Sequence, residues 1–304
     1  MFSYTQEQRI FDLKGIKVGG QPGVHPTLMV GTIFYEDQFK DPKEEQKKAV
    51  ELIREQNKLS QMTSIPTLVD IFIYEKEEIQ WKVEFALDHI DGIFSLDMPE
   101  SEVRMEVLKH LGEIGALDRV IYNSLNLGVK EEEIEKLEKN TPKGAVLLGY
   151  NPQKNNTQGR VDIIKDGGVL MDEGLLTLAR ECGIDYTLLD TAATPFGEKA
   201  GETVRAVPVF KNEFGLPTGC SLHNTVESWK WLDEYEDRER VFKSLDVSID
   251  NLPVLLGADF IYYGPIENAD LALPNMAMVD KIIAEGAEDY FGTKVSDNHP
   301  HKSL

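Results

Sequence analysis

Short apolar runs alternate with longer stretches of helical periodicity along almost the whole chain. Nearly continuous apolar runs that alternate with helices are typical of the strands of a buried parallel sheet. The repeat therefore predicts an α/β fold, the (β/α)8 or TIM barrel, and 304 residues match one such barrel with a small addition. The eight predicted strands are LMVGTI (28–33), TLVDIFI (67–73), GIFSLD (92–97), RVIYNS (119–124), AVLLGY (145–150), YTLLD (186–190), LPTGC (216–220) and ADFIYY (258–263).

A segment before the first barrel strand has the pattern of a hairpin. FDLKGIKVGG (11–20) predicts two short strands that turn at Lys14 and Gly15 and cover one end of the barrel. No linker composition interrupts the repeat, so we expect a single domain over residues 1–304 with a short polar tail at 293–304.

Polar residues mark the ends of the predicted helices. Asp41 would cap the first barrel helix, and Ser101 would cap a later helix that ends at Gly115. The charge run KEEEIEKLEK (130–139) predicts a helix face exposed to solvent. The polar segment NPQKNNTQGRVD (151–162) predicts a long loop that covers an active site.

Charge and composition exclude several classes of protein. A formal net charge of −21 disfavours binding to nucleic acid or to an anionic membrane surface. No apolar run approaches the roughly 20 residues that a membrane helix needs, and the first residues lack a signal-peptide pattern, so we expect a cytoplasmic protein. Cys182, Cys220 and six scattered histidines lack the spacing of a metal site, so no bound metal is expected.

Polar side chains stand at the carboxyl ends of several predicted strands, where a βα barrel builds its active site. They are Asp70, Asp97, Asn123, Asp190, His223 and Asn224. Each has a structural alternative, since Asp97 could cap the helix near Ser101 and Asn123 could bind loop backbone, and for Asp70 the two interpretations are equal. Acids and amides together suit a flat heterocycle rich in hydrogen-bonding groups, such as a reduced pterin.

Ordered segments across the chain carry a family resemblance. They are GGQPG (19–23), GTIFY (31–35), DRVIYNSLN (118–126), LLGYNP (147–152), DTAATPFG (190–197), PTGC (217–220), HN (223–224) and GADFIYYGPIENA (257–269). In these segments the chain resembles the MtrH subunit of tetrahydromethanopterin S-methyltransferase and its bacterial relatives. The resemblance implies a pterin-binding barrel that moves a methyl group between nitrogen-5 of a tetrahydropterin and the cobalt of a corrinoid, a reaction of one-carbon metabolism and of methanogenesis.

The resemblance also implies roles for individual residues. Asn224 would lie near the methyl-bearing nitrogen, with His223 assisting it as a catalytic group. The pterin-binding set would comprise Asp97, Asn123 with the adjacent Ser124, Asn151 and Asp190. Asp70 and Glu267 are further candidates. After Asp97 the family commonly has Ser and Thr, whereas this chain has Met98 and Pro99.

The same resemblance implies partners. The chain has no D-x-H-x-x-G corrinoid-binding segment, so a separate corrinoid-binding protein would bring the cobalt. A homodimer is implied, while the pterin carrier, tetrahydrofolate or tetrahydromethanopterin, and the direction of transfer stay open. Two alternatives remain: a noncatalytic pterin-binding or scaffold subunit, and a dihydropteroate-synthase-like enzyme, for which the basic residues Arg160, Arg205 and Lys211 are scattered.

Overall fold

Parallel strands alternate with helices and close into a barrel. The structure, a computed structural model, describes residues 2–39 and 42–304. Within these ranges a hairpin of β1 (Ile10–Leu13) and β2 (Ile16–Gly19) precedes eight barrel strands. The barrel strands are β3 (Leu28–Ile33), β4 (Thr67–Phe72), β5 (Phe94–Asp97), β6 (Val120–Leu125), β7 (Gly144–Leu148), β8 (Tyr186–Asp190), β9 (Thr218–Cys220) and β10 (Phe260–Pro265). Around the barrel β10 lies beside β3, and the other strands follow in chain order. The predicted barrel and hairpin are confirmed.

The α-helices follow the strands. They are α1 (Pro42–Thr63), α2 (Ile79–His89), α3 (Ser101–Ile114), α4 (Glu131–Lys139), α5 (Thr157–Lys165), α6 (Leu175–Glu181), α7 (Gly201–Phe214), α8 (His223–Glu227), α9 (Arg238–Ile249), α10 (Asn251–Leu255), α11 (Ala269–Phe291) and α12 (Pro300–Ser303). Among the helices of the described residues, none combines the length and the apolar character that a bilayer span requires.

Three details of the helices differ from the sequence predictions or refine them. Ser101 is the first residue of α3 and not its cap, which is Glu100. The loop after β7 is shorter than predicted, because Asn156 accepts a hydrogen bond from the Gly159 N–H at 2.9 Å and starts α5 there. The helix end at Gly115 is confirmed, since this residue has the left-handed φ of 69°. The predicted cap at Asp41 lies outside the described residues.

The charge run 130–139 forms α4, but one of its acids is buried. Glu133 is fully buried and forms an ion pair with Arg104 of α3, Oε1 to Nε, at 2.8 Å. Ser101 Oγ donates to the same carboxylate at 2.6 Å, and Tyr122 Oη of β6 also donates to it. The expectation of a fully solvated helix face is therefore wrong at Glu133, because this acid binds α3 and β6.

The contacts of the chain divide it into two compact units. The first unit runs up to Gly31 and includes Leu52–Thr67 and Asp190–Leu304, and the second consists of Thr32–Glu51 and Leu68–Leu189. We describe each by itself.

In the first unit, the hairpin and the C-terminal segment pack on the fold. The Arg9 N–H donates to the Gly215 carbonyl at 2.8 Å, which places the hairpin beside the amino end of β9. The Ser296 N–H donates to the Val24 carbonyl at 2.9 Å, and His299 is fully buried. The residues predicted as a polar tail thus include a buried histidine, because this segment is bound to the start of the chain.

Candidate active site

The second unit brings together three of the predicted site residues at the carboxyl ends of β4, β5 and β6. Asp70 of β4 is 1% exposed and accepts hydrogen bonds from Thr32 Oγ1 at 3.1 Å and from Asn123 Nδ2 at 3.4 Å. Asp97 ends β5 and lies opposite Asn123 in the register of β5 with β6. Two carboxyl groups and one carboxamide therefore occupy one small region.

Burial changes the protonation of these two acids. Burial raises the pKa of the Asp70 carboxyl, although hydrogen bonds from Ser95, Thr32 and Asn123 oppose the rise. For Asp97, burial together with the negative charge of Asp70 raises the pKa well above the usual range, and no donor among the described residues opposes the rise. Like charges so close disfavour the ionisation of both acids at once.

Asp97 does not serve as the helix cap that the sequence allowed. The N-cap position of α3 belongs to Glu100, whose side chain makes no capping hydrogen bond. As a whole residue, Asp97 is half-buried. At the departure from the family pattern, Met98 is buried and its N–H donates to the Asn123 carbonyl at 3.0 Å.

The other candidates of the second unit bind local backbone or neighbours. Asn126 Nδ2 donates to Ser124 Oγ at 3.3 Å and to the Ser124 carbonyl at 3.2 Å. Asn151 is buried, and its Oδ1 accepts from the N–H groups of Gln153 at 3.0 Å and Lys154 at 2.9 Å. The Asn151 oxygen thus shapes the loop after β7.

In the first unit, Asp190 ends β8 and is 8% exposed. Its Oδ1 accepts a hydrogen bond from the Ala192 N–H at 2.7 Å, and Ala192 has a left-handed φ of 59°. One oxygen of this carboxylate therefore holds the turn that follows β8.

His223 begins α8, three residues after the end of β9. Its Nδ1 lies 3.0 Å from both carboxylate oxygens of Asp246 on α9, and the histidine is 9% exposed. The next residue, Asn224, is exposed, and within the described residues its side chain makes no hydrogen bond. Glu267 is also exposed, and its charge contributes to the raised pKa of buried Tyr263.

Sequence reasoning missed the partners of these residues. Thr32 and Ser95 are polar residues inside apolar strand runs, which is a usable signal for side chains that face a barrel interior. Asp246 gave no signal, since it lies 23 residues from His223 on a helix without a recognisable motif.

A closed barrel of parallel strands with acids and amides at the carboxyl ends of its strands belongs to the TIM-barrel class. Comparison with solved structures gives the same fold. Dihydropteroate synthase from Vibrio fischeri superposes with a TM-score of 0.62 at 16% identity, covering 91% of this chain and 98% of that one. The Xanthomonas albilineans enzyme in complex with 7,8-dihydropteroate gives a TM-score of 0.58 at 16% identity, over 90% and 98% of the two chains.

The sequence comparisons identify the family. Residues 6–295 match the tetrahydromethanopterin S-methyltransferase MtrH subunit family. The H subunit of tetrahydromethanopterin S-methyltransferase from Methanothermobacter thermautotrophicus is 39% identical over 100% of both chains. The H subunit of the putative methyltransferase mtx from Methanosarcina acetivorans is 37% identical over 99% of this chain and 98% of its own length. The chain belongs to this family of methyltransferase subunits.

Proposed function

We propose that this chain transfers a methyl group between nitrogen-5 of a tetrahydropterin and the cobalt of a corrinoid that a partner protein carries. The observation that supports the proposal most is the cluster of Asp70, Asp97 and Asn123 at the carboxyl ends of successive strands. Membership of a methyltransferase-subunit family supports the reaction class.

The chemistry of the cluster fits the amide and amidine edge of a pterin. In this proposal the N–H donors of the ring favour the ionised form of Asp97, which accepts two parallel N–H groups, and the Asn123 carboxamide both donates and accepts. Asp70 is buried behind them and holds the Asn123 amide through its Oδ1. Asp190, Asn151, Ser124 and Glu267 complete the proposed surroundings of the ring.

Methyl transfer from the pterin leaves an electron pair on nitrogen-5, and a proton or a fixed donor must stabilise it. Asn224 is the proposed donor, because its amide is exposed directly after β9 and is not used by neighbouring residues of the described chain. His223 is the proposed second group at this nitrogen. The corrinoid supplies the nucleophile for the methyl group when it is bound.

The corrinoid-binding protein is the proposed partner, and the chain acts as a cytoplasmic homodimer in this proposal. Two carriers fit equally, because the proposed contacts go to the ring that tetrahydrofolate and tetrahydromethanopterin share. The proposal covers both directions of transfer, methylation and demethylation of cobalt.

Asn224→Ala tests the proposal. Purified protein is mixed with cob(I)alamin and methyl-tetrahydrofolate or methyl-tetrahydromethanopterin, and the cobalt absorbance is followed. We expect transfer by the parental protein, a loss of about 100-fold or more in kcat for Asn224→Ala, and unchanged pterin binding. Glu227→Ala, on the exposed part of the same helix, is the control and should keep the parental rate.

Two results would change the proposal. Parental turnover by Asn224→Ala would remove its role in stabilising nitrogen-5. Tight pterin binding by the parental protein without any methyl transfer, also with a corrinoid protein present, would instead support a noncatalytic role.

Lys211 argues against dihydropteroate-synthase-like chemistry. A pyrophosphate leaving group needs basic residues at the carboxyl ends of the strands. Lys211 is fully buried and paired with Asp259 at 2.6 Å, and the Asp259 N–H binds the Thr218 carbonyl at the amino end of β9. Lys211, on α7, therefore lies at the amino end of β9 and not at the carboxyl ends where that reaction needs a cation.

A further inference from the structure

The His223 ring is held on two sides by residues that the sequence pattern does not mark. Asp246 binds Nδ1 through both oxygens at 3.0 Å, and Asn268 Nδ2 lies 3.4 Å from Asp246 Oδ2. The His223 and Phe242 rings pack edge to face, with an angle of 89° between their planes and 5.8 Å between their centroids. A histidine bound in this way has one nitrogen fixed and one left for chemistry.

Gly264 of β10 lies next to the His223 ring. A Cβ at this position would lie 2.5 Å from His223 Cγ and 2.6 Å from Nδ1, so any side chain would displace the ring. Gly264 also has a φ of 82°, which other residues rarely adopt. The backbone of β10 and the carboxylate of α9 therefore fix both the position and the rotation of the imidazole.

We propose that Asp246 and Gly264 are positioning residues that make His223 the proton carrier for the pterin nitrogen during methyl transfer. The inference rests on the proposed function. It adds a source for the proton, which a carboxamide such as Asn224 cannot supply because it does not titrate.

The proton step balances as follows in the direction from pterin to corrinoid. The N5–CH3 bond breaks, and its electron pair remains on nitrogen-5. The methyl carbon forms its new bond with an electron pair from the cob(I) substrate, so cobalt is oxidised by two electrons. His223 Nε2–H gives its proton to nitrogen-5, and the neutral ring is left with Nδ1–H bound to Asp246. In the opposite direction Nε2 takes that proton back.

Asp246 accepts from Nδ1–H and so keeps this nitrogen as the donor in the neutral ring. The groups that face the ring from the packed elements are Asp246 and Phe242 on α9 and Gly264 on β10. Farther out, Arg238 lies over the Phe242 ring at 5.6 Å. The acid next to Asp246 is Asp250, and burial followed by the charge of Asp246 raises the pKa of Asp250 well above the usual range.

Asp246→Asn tests the positioning role. The variant keeps the shape of the side chain but removes the carboxylate that accepts from Nδ1, so the ring is no longer held in one tautomer. We expect kcat for demethylation of the pterin to fall about 10- to 100-fold near neutral pH while the KM for the pterin stays within about twofold.

Asp250→Asn is the matched control. Asp250 is the C-cap residue of α9 and forms no hydrogen bond with His223 within the described residues, so we expect the parental kcat.

A second readout does not depend on catalysis. In protein with 15N-labelled histidine, the His223 signals, assigned by their loss in His223→Gln, should show the Nδ1–H tautomer in the parental protein and a mixture in Asp246→Asn. A parental kcat together with an unchanged tautomer in Asp246→Asn would overturn the inference. Absence of methyl transfer by the parental protein, with the tautomer as expected, would instead overturn the proposed function.

Discussion

At the scale of single residues, the proposed site has a cost for folding. Burial raises the pKa of Asp70, and burial together with the charge of Asp70 raises the pKa of Asp97. A carboxyl whose folded-state pKa is raised binds its proton more tightly in the folded protein, so ionisation at neutral pH disfavours the folded state. Such an arrangement persists where the acid has a function, as proposed for pterin binding at Asp97.

Asp97→Asn should separate function from stability. The amide cannot accept two N–H groups, so we expect pterin affinity to fall about 100-fold, which titration calorimetry measures. Because the change removes a repelled acid, the melting temperature of the unliganded variant should equal or exceed that of the parental protein near pH 8.

Asp91→Asn serves as the control for this prediction. Asp91 is exposed before β5, at the opposite end of the strand from Asp97. The pterin affinity and the melting temperature of this variant should both stay at the parental values. Parental affinity in Asp97→Asn would contradict the role of Asp97 in pterin binding.

At the scale of elements, the sequence predicted strands better than helix ends. The strand runs were recognisable because a buried parallel sheet requires continuous apolar residues, and YTLLD matches β8 from end to end. Ser101 is a residue type that often caps helices, yet its hydroxyl donates to Glu133 on α4. A local pattern cannot show that choice, since the partner belongs to another element.

The candidate site shows the same limit. Asp97 and Asn123 could be predicted because each ends an apolar run, and neighbouring strand ends lie side by side. The pairing of His223 with Asp246 depends on how α9 packs beside α8, which no spacing in the sequence encodes. Asp190 was predicted as a pterin contact, and the structure adds that one of its oxygens holds the turn at Ala192.

The buried pair between α3 and α4 gives a prediction at this scale. Glu133→Gln leaves the Arg104 charge buried without its counter-ion, since Arg104 is 3% exposed and Glu133 0%. We expect the free energy of unfolding to fall by about 3–5 kcal/mol, measured by urea denaturation.

An exposed pair on α3 is the control for Glu133→Gln. Glu106 and Lys109 lie 3.7 Å apart with about half of each side chain exposed. Glu106→Gln should change the free energy of unfolding by less than about 1 kcal/mol. Equal effects of the two substitutions would show that burial does not decide the strength of the Arg104–Glu133 pair.

At the scale of the whole molecule, charge sets how stability depends on pH. The net charge of −21 means that exposed acids repel one another at neutral pH. Ionisation of buried acids also disfavours the folded state as the pH rises. The pKa values of five such acids are raised, with burial as the largest cause: Asp70, Asp97, Asp250, Asp259 and Asp280. Salt separates the two effects, since it screens exposed charges and leaves buried ones nearly unchanged.

Asp280 provides the clearest test of this dependence. Burial raises the pKa of its carboxyl to about 7, although Thr27 donates from its N–H at 2.7 Å and from Oγ1 at 2.8 Å. The unfolded chain releases this proton near pH 4, whereas the folded protein releases it near pH 7. The folded state therefore binds more protons between these values, and the stability that this proton contributes is lost as the pH rises through about 7.

We therefore expect the free energy of unfolding to be lower at about pH 8 than at about pH 6, in about 0.5 M KCl to suppress the exposed charges. Asp280→Asn should flatten this slope, even where loss of an acceptor for Thr27 lowers the stability at both pH values. Asp289→Asn, an exposed acid on the same helix, should keep the parental slope. Urea denaturation of the three proteins at both pH values measures the effect. An equally steep slope in Asp280→Asn would mean that the proton is taken up elsewhere, with the other buried acids as the next substitutions to compare.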